Sequence, residues 1–213
     1  MADRYALVVD STNNNIKEIP AADRLVADNL LLSGTTPTLT IGDAGAEDTK
    51  IVFDGNAQDF YIGLDDSADD LVIGLGSAVG TTPAISIDEN QVAKFEAAIT
   101  EQATSLTSGT TVALDVRDGG VFEITLGHNI GTFNWSNHAL SGAVSSFIMK
   151  VVQDGTGSRT IAWPDGTNSV TVRWAGNTAP TLSTGAADID VFVFFTTDGG
   201  TNYYGFTAGQ DML

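Results

Sequence analysis

The chain has no cysteine in its 213 residues, which removes disulfide staples, thiolate metal sites and a cysteine nucleophile together. Cations are nearly as scarce: nine Lys and Arg stand against 27 Asp and Glu, a formal net charge of -18. Phosphate neutralisation needs clustered Lys and Arg, so nucleic acid is not an expected partner, and anionic lipid surfaces are disfavoured on the same ground. The apolar runs Tyr5–Val9 and Val191–Phe195 are only five residues long, whereas a membrane span needs about 20. The N-terminal stretch MADRYALVVDSTNNN lacks the basic region and small-residue cleavage site of a secretory signal. A protein made without export by a signal of its own is therefore expected, with its acidity serving solubility.

What the chain does have is alternation. Ile51 and Phe53, then Phe60, Ile62 and Leu64, then Leu71, Ile73 and Leu75 are apolar at every second position, separated by Asp, Gly, Asn and Ser. Such a pattern puts one row of side chains on each face of a short strand, one face to be buried and one wetted. Strands this short need neighbours, from the same chain or from copies of it. Four segments follow from this reading. Residues 1–34 form an N-terminal attachment segment, in which Tyr5–Val9 and Ile16–Ile19 pair as strands and residues 21–32 read as either a short helix or an extended arm. Residues 35–93 form an acidic β-strand region, stalk-like or a small β-unit of its own, whose first strand is expected at Leu39 and Ile41. Residues 94–109 form a neck, where Phe95, Ile99, Gln102 and Leu106 in KFEAAITEQATSL are spaced as the seam of a short helix. Residues 110–213 form a two-sheet β-sandwich of eight strands, expected at residues 112–116, 121–126, 131–135, 145–153, 158–163, 169–174, 188–196 and 201–206, with DGG, DGTGS and PDG turns between them. The fold class is thus mainly β, with one short helix between the two β-regions.

Little in the chain points to catalysis. His128 and His138 stand among Gly, Asn and Ser with no nucleophile signature beside them, so loop hydrogen bonding is the expected role. The string IGLGSAVG (residues 73–80) resembles a dinucleotide loop only in its glycines. A strand-like TTPAISID follows where a helix N-terminus is required, so no cofactor is expected. Asp65, Asp66, Asp69 and Asp70 could offer oxygen ligands to Ca²⁺, but they lack the EF-hand spacing, and a solvated acidic turn is the plainer reading. Trp163, Trp174 and Tyr204 are the candidates for surface recognition of a sugar, set against a plainer role for each Trp as sandwich core or rim.

Two stretches resemble known proteins. The segment from TLTIGDAGAEDTK to AISIDENQ resembles a module of virion structural proteins in marine and freshwater tailed bacteriophages. The segment SFIMKVVQDGTGSRTIAWPDG, with VRWAGNTAPTLSTGAADIDVFVFFTTDGGTNYYGFTAGQDM, is similar to a β-rich module that ends many phage fibre and appendage proteins. Together they cover roughly residues 39–212. The resemblance implies a non-enzymatic virion component: a homotrimer, fibre-like, attached to the particle by its N-terminal region. Its expected partners are copies of itself, other capsid or tail proteins and a host surface glycan. A capsid decoration (cement) protein at three-fold positions, and a carbohydrate- or receptor-binding tip, are the alternatives.

Overall fold

The computed structural model describes residues 7–10, 15–18 and 28–212. The chain is mainly β and divides into two units, residues 1–97 and 98–213.

In the N-terminal unit, β1 (Leu7–Asp10) and β2 (Asn15–Glu18) pair antiparallel, close to the hairpin the alternation predicts. Of the stretch read as helix or arm, residues 21–27 lie outside the described residues, and Asp28–Leu32 are exposed and not helical. A five-stranded antiparallel meander follows in chain order: β3 (Thr49–Phe53), β4 (Phe60–Asp65), β5 (Asp70–Leu75), β6 (Pro83–Ile87) and β7 (Ala93–Phe95). Leu39 and Ile41, expected in a strand, lie before it in irregular chain. The acids between strands close turns. Asp65 Oδ1 accepts from Ser67 N (3.1 Å) and Ser67 Oγ (2.7 Å), while Asp88 Oδ1 accepts from Asn90 N and Val92 N, each at 2.9 Å.

The C-terminal unit is a sandwich of unequal sheets. Its strands are β8 (Thr104–Leu106), β9 (Thr111–Asp115), β10 (Val121–Leu126), β11 (Thr132–Ser136), β12 (Ser145–Gln153), β13 (Asp165–Thr167), β14 (Val170–Arg173), β15 (Ile189–Thr196) and β16 (Asn202–Gly209). A seven-stranded sheet runs β13-β14-β16-β15-β12-β10-β8, and β9 pairs with β11 in a separate two-stranded sheet. From β8 to β12 the chain alternates between these sheets, so the neighbours β8–β10, β10–β12 and β9–β11 are parallel rather than hairpin-paired. Between the sheets lies an aromatic core. Trp135 is 1 % exposed and meets Phe147, Phe194 and Tyr203 edge-on at centroid distances of 5.1, 5.0 and 5.1 Å. Two buried polar side chains tie loops to this core. Asp190 accepts from Ser183 N and Oγ, both at 2.7 Å, and Gln153 bonds Arg159 N (2.8 Å), Arg159 O (3.0 Å) and Ser183 O (2.9 Å).

The expected neck helix over residues 94–109 is not formed. Phe95 pairs with Ile85 in the sheet, Glu96 N donates to Ala84 O (3.0 Å), and Thr104–Leu106 is a parallel edge strand against β10. About three helical turns are marginal without a packed face, and here both ends of the stretch find a sheet edge that satisfies their backbone instead. Residues 158–163, expected as a strand, contribute only an isolated bridge between Ile161 and Ile130.

Candidate interaction surfaces

The chemical groups singled out in the sequence do not converge. His128 is exposed, its backbone N–H donating to Ser108 Oγ (3.2 Å). His138 is half-buried, with Nδ1 2.7 Å from Tyr203 Oη. Burial holds the His138 imidazole below its usual pKa and pushes the Tyr203 phenol up to about 12. The pair pins the loop after β11 to the sheet, and the His138 ring occupies the space beside Gly200 that a Cβ would need. The Asp65–Asp70 stretch is the turn between β4 and β5. Asp65 faces Asp70 across the ladder, and Asp69 takes a left-handed φ of 56°. Among the described residues no three His, Asp or Glu side chains gather to hold an ion. Of the glycine-rich string, residues 73–75 end β5 and residues 76–80 open the connection to β6 (residues 76–82), so it leads from strand to strand.

The three recognition candidates are split. Trp163 and Trp174 line a cleft of about 370 Å³ with Arg173, Asp165 and Asn177. Their rings meet at 62° with centroids 5.4 Å apart, and both pack on Phe192 and Phe194. They present edges and core contacts rather than one open platform for a sugar face. Tyr204 lies on the opposite face of the same sheet, beside Phe195 (5.3 Å) and level with Arg173.

What the structure leaves open is apolar sheet. In the N-terminal unit, the register aligns Ile51, Ile62, Ile73, Ile85 and Phe95 in one row across all five strands. Phe53, Phe60 and Leu75 flank that row on one side, and Leu64, Leu71 and Ile87 on the other. Ten of these side chains are 37–56 % exposed, and no charged residue lies among them. The other face carries Tyr61, Gly63, Val72, Gly74 and Ser86, and it is the buried one. The β5–β6 connection folds across it: Gly80 N donates to Tyr61 Oη (3.2 Å), Lys50 Nζ to Ser77 O, and Val79 sits over Gly63. Glycine is required at Gly74, because a Cβ there would collide with the Tyr61 phenol. The chain thus covers its small-residue face and bares its hydrophobic one.

The seven-stranded sheet has a second open face, which the alternation argument missed. Its rows are Arg173–Tyr204–Phe195–Ser146, Phe206–Val193–Ile148–Val121, and Val191–Lys150–Glu123. The signal was available, since Val191–Phe195 is apolar at every position and so expects apolar contact on both faces.

Comparison with family models, characterised proteins and solved structures brings no match. Among the described residues no helix is long and apolar enough to cross a membrane.

Proposed function

We propose that this chain is a non-enzymatic structural subunit of a tailed-phage particle, a homotrimeric fibre-like appendage attached through its N-terminal region. The observation that carries the reading is the uncharged apolar face of the five-stranded sheet. Ten side chains exposing close to half their surface amount to about 800 Å² of apolar area, the size of one partner's share of a stable interface and above the largest patch of an ordinary monomer. Three copies turning these faces toward a common axis cover them. The acids, clustered in turns and closing them, keep the assembled particle soluble. The resemblance of two stretches, together roughly residues 39–212, to phage virion modules supplies the setting.

Sedimentation of the full chain at micromolar concentration tests the assembly. The expected species is a trimer, and a compact, folded lone subunit overturns it. Quantitative mass spectrometry of purified virions then separates the two structural roles. A few copies per particle is the expected result for an appendage, whereas copies in the number of capsid three-fold positions mark a decoration protein.

A further inference from the structure

We infer that the outer face of the seven-stranded sheet is a second self-association surface, in which one copy's Arg173 margin meets the Glu101 margin of the next. This inference rests on the assembly proposed above and adds where and how the C-terminal units meet.

The face is apolar at its centre, where Ile148 is 41 % and Phe206 55 % exposed with Val193 between them. Phe195 stacks on Phe206 at 6.0 Å and 9°, which fixes a flat aromatic edge. Val121, Ile148 and Val193 also line a shallow depression of about 360 Å³ with Glu101 at its rim. Within the face Lys150 and Glu123 neutralise each other at 3.2 Å, and the charges that matter for a neighbour stand at its margins. Arg173 lies beyond Tyr204 on one margin, its Nε donating to Asn202 Oδ1 (2.8 Å), and Glu101 lies at the other. A face with a cation at one edge and an anion at the other is complementary to itself head to tail, the arrangement that closes into a ring about a rotation axis. It is not complementary to itself edge to like edge.

Area also identifies the occupant. The open apolar surface here is about 400 Å², half of what a freely diffusing partner would need. A copy tethered through an assembled N-terminal sheet arrives at an effective concentration in the millimolar range and needs no more. A partner from solution has no such help.

The lack of native cysteine permits a direct test on the full chain. Ile148→Cys and, as a second variant, Phe206→Cys are labelled with a bulky maleimide and compared with Thr156→Cys on an exposed loop. The expected result is labelling at least tenfold slower on the face than at the loop, with the difference abolished in denaturant. Arg173→Glu or Glu101→Arg added to Ile148→Cys is expected to restore fast labelling, and both together to slow it again. A chain that sediments as a trimer yet labels at position 148 as fast as at the loop overturns this inference alone and leaves the face free for another ligand. A monomeric chain overturns the assembly, and this inference with it.

Discussion

Ile73 sits at the centre of the five-stranded sheet's open face, between Ile62 and Ile85 in the row. It is 40 % exposed in the single chain, so covering what remains removes about 60 Å² of apolar surface from water, or about 1.5 kcal/mol. Ile73→Asp forfeits that gain and also buries a carboxylate without a counterion, a cost of several kcal/mol. Together the loss is about 5 kcal/mol per copy, three to four orders of magnitude in each association step. The same change costs the isolated subunit little, because the side chain there meets water. The variant is therefore expected to sediment as a monomer at micromolar concentration while keeping the near-ultraviolet circular dichroism of the C-terminal aromatic core. Ser77→Asp, exposed and off this face, is expected to remain assembled. An Ile73→Asp chain that is folded and sediments like the unmodified protein would refute the argument that this face joins copies.

Because each copy carries a charge of -18, association works against like-charge repulsion, and raising NaCl from about 0.01 to about 0.15 M, which cuts the Debye length from about 30 to about 8 Å, is expected to tighten it in sedimentation equilibrium. Gly74→Ala drives a methyl into the Tyr61 phenol and is expected to lower the melting temperature of the N-terminal unit, a loss of about 1–3 kcal/mol read by denaturant titration. Trp135→Ala empties the centre of the aromatic core and is expected to cost about 3–5 kcal/mol, with loss of the near-ultraviolet signal. Stability should also depend on pH at both ends. The Arg117 side chain and backbone N–H hold the Asp115 carboxyl well below the usual carboxylate range, and Asn202 holds Asp198 down to about 2, so their contribution is full above about pH 4 and lost as pH falls toward 2. His138, kept neutral by burial, adds a milder loss as pH falls below about 6.5, where the unfolded chain takes up the proton first. Tyr203, raised to about 12, gives stability that is full below about pH 10 and declines from there toward 12; thermal melts against pH are expected to lose that alkaline limb in Tyr203→Phe.

Much of this architecture was legible because short strands advertise themselves. The alternation at residues 51–53, 60–64 and 71–75 and the runs 121–126 and 145–153 fall on strands within a residue or two, and the acids between them close turns as their chemistry requires. Direction was not legible. The same alternation serves parallel and antiparallel neighbours, and the decision that β8, β10 and β12 run parallel is made at corners such as the 3-10 turn Val116–Asp118, where the chain crosses to the other sheet. The helical spacing in residues 94–106 was real but weak: three well-spaced apolar side chains, Phe95, Ile99 and Leu106, cannot outweigh backbone hydrogen bonds offered by two sheet edges. Nor could the aromatics be grouped from sequence alone. Trp174 follows directly on β14, the neighbour of the strand that carries Tyr204, and only its opposite parity to the Arg173–Tyr204 pair puts one ring against the core and the other outside.

Alternation also fixes which side chains share a face without saying which face the chain will cover, and here that distinction carries the functional argument. A lone sheet lowers its free energy by laying its own connections over the apolar side and leaving the small polar side wet. This chain does the reverse. Gly63 and Gly74 clear room for the β5–β6 connection over a face whose apolar bulk is Tyr61, Val52 and Val72, so the local covering layer is used where less apolar surface exists. The isoleucine row is left outside with no charged gatekeeper on it, although acids are abundant at both ends of the same strands. Those end charges guard against strand-edge pairing and stacking in uncontrolled numbers, which leaves the flat face as the broad uncharged apolar surface among the described residues of the N-terminal unit. In the assembly proposed above, acids at the strand ends and an uncharged plane of isoleucines favour a closed set of copies over an open aggregate.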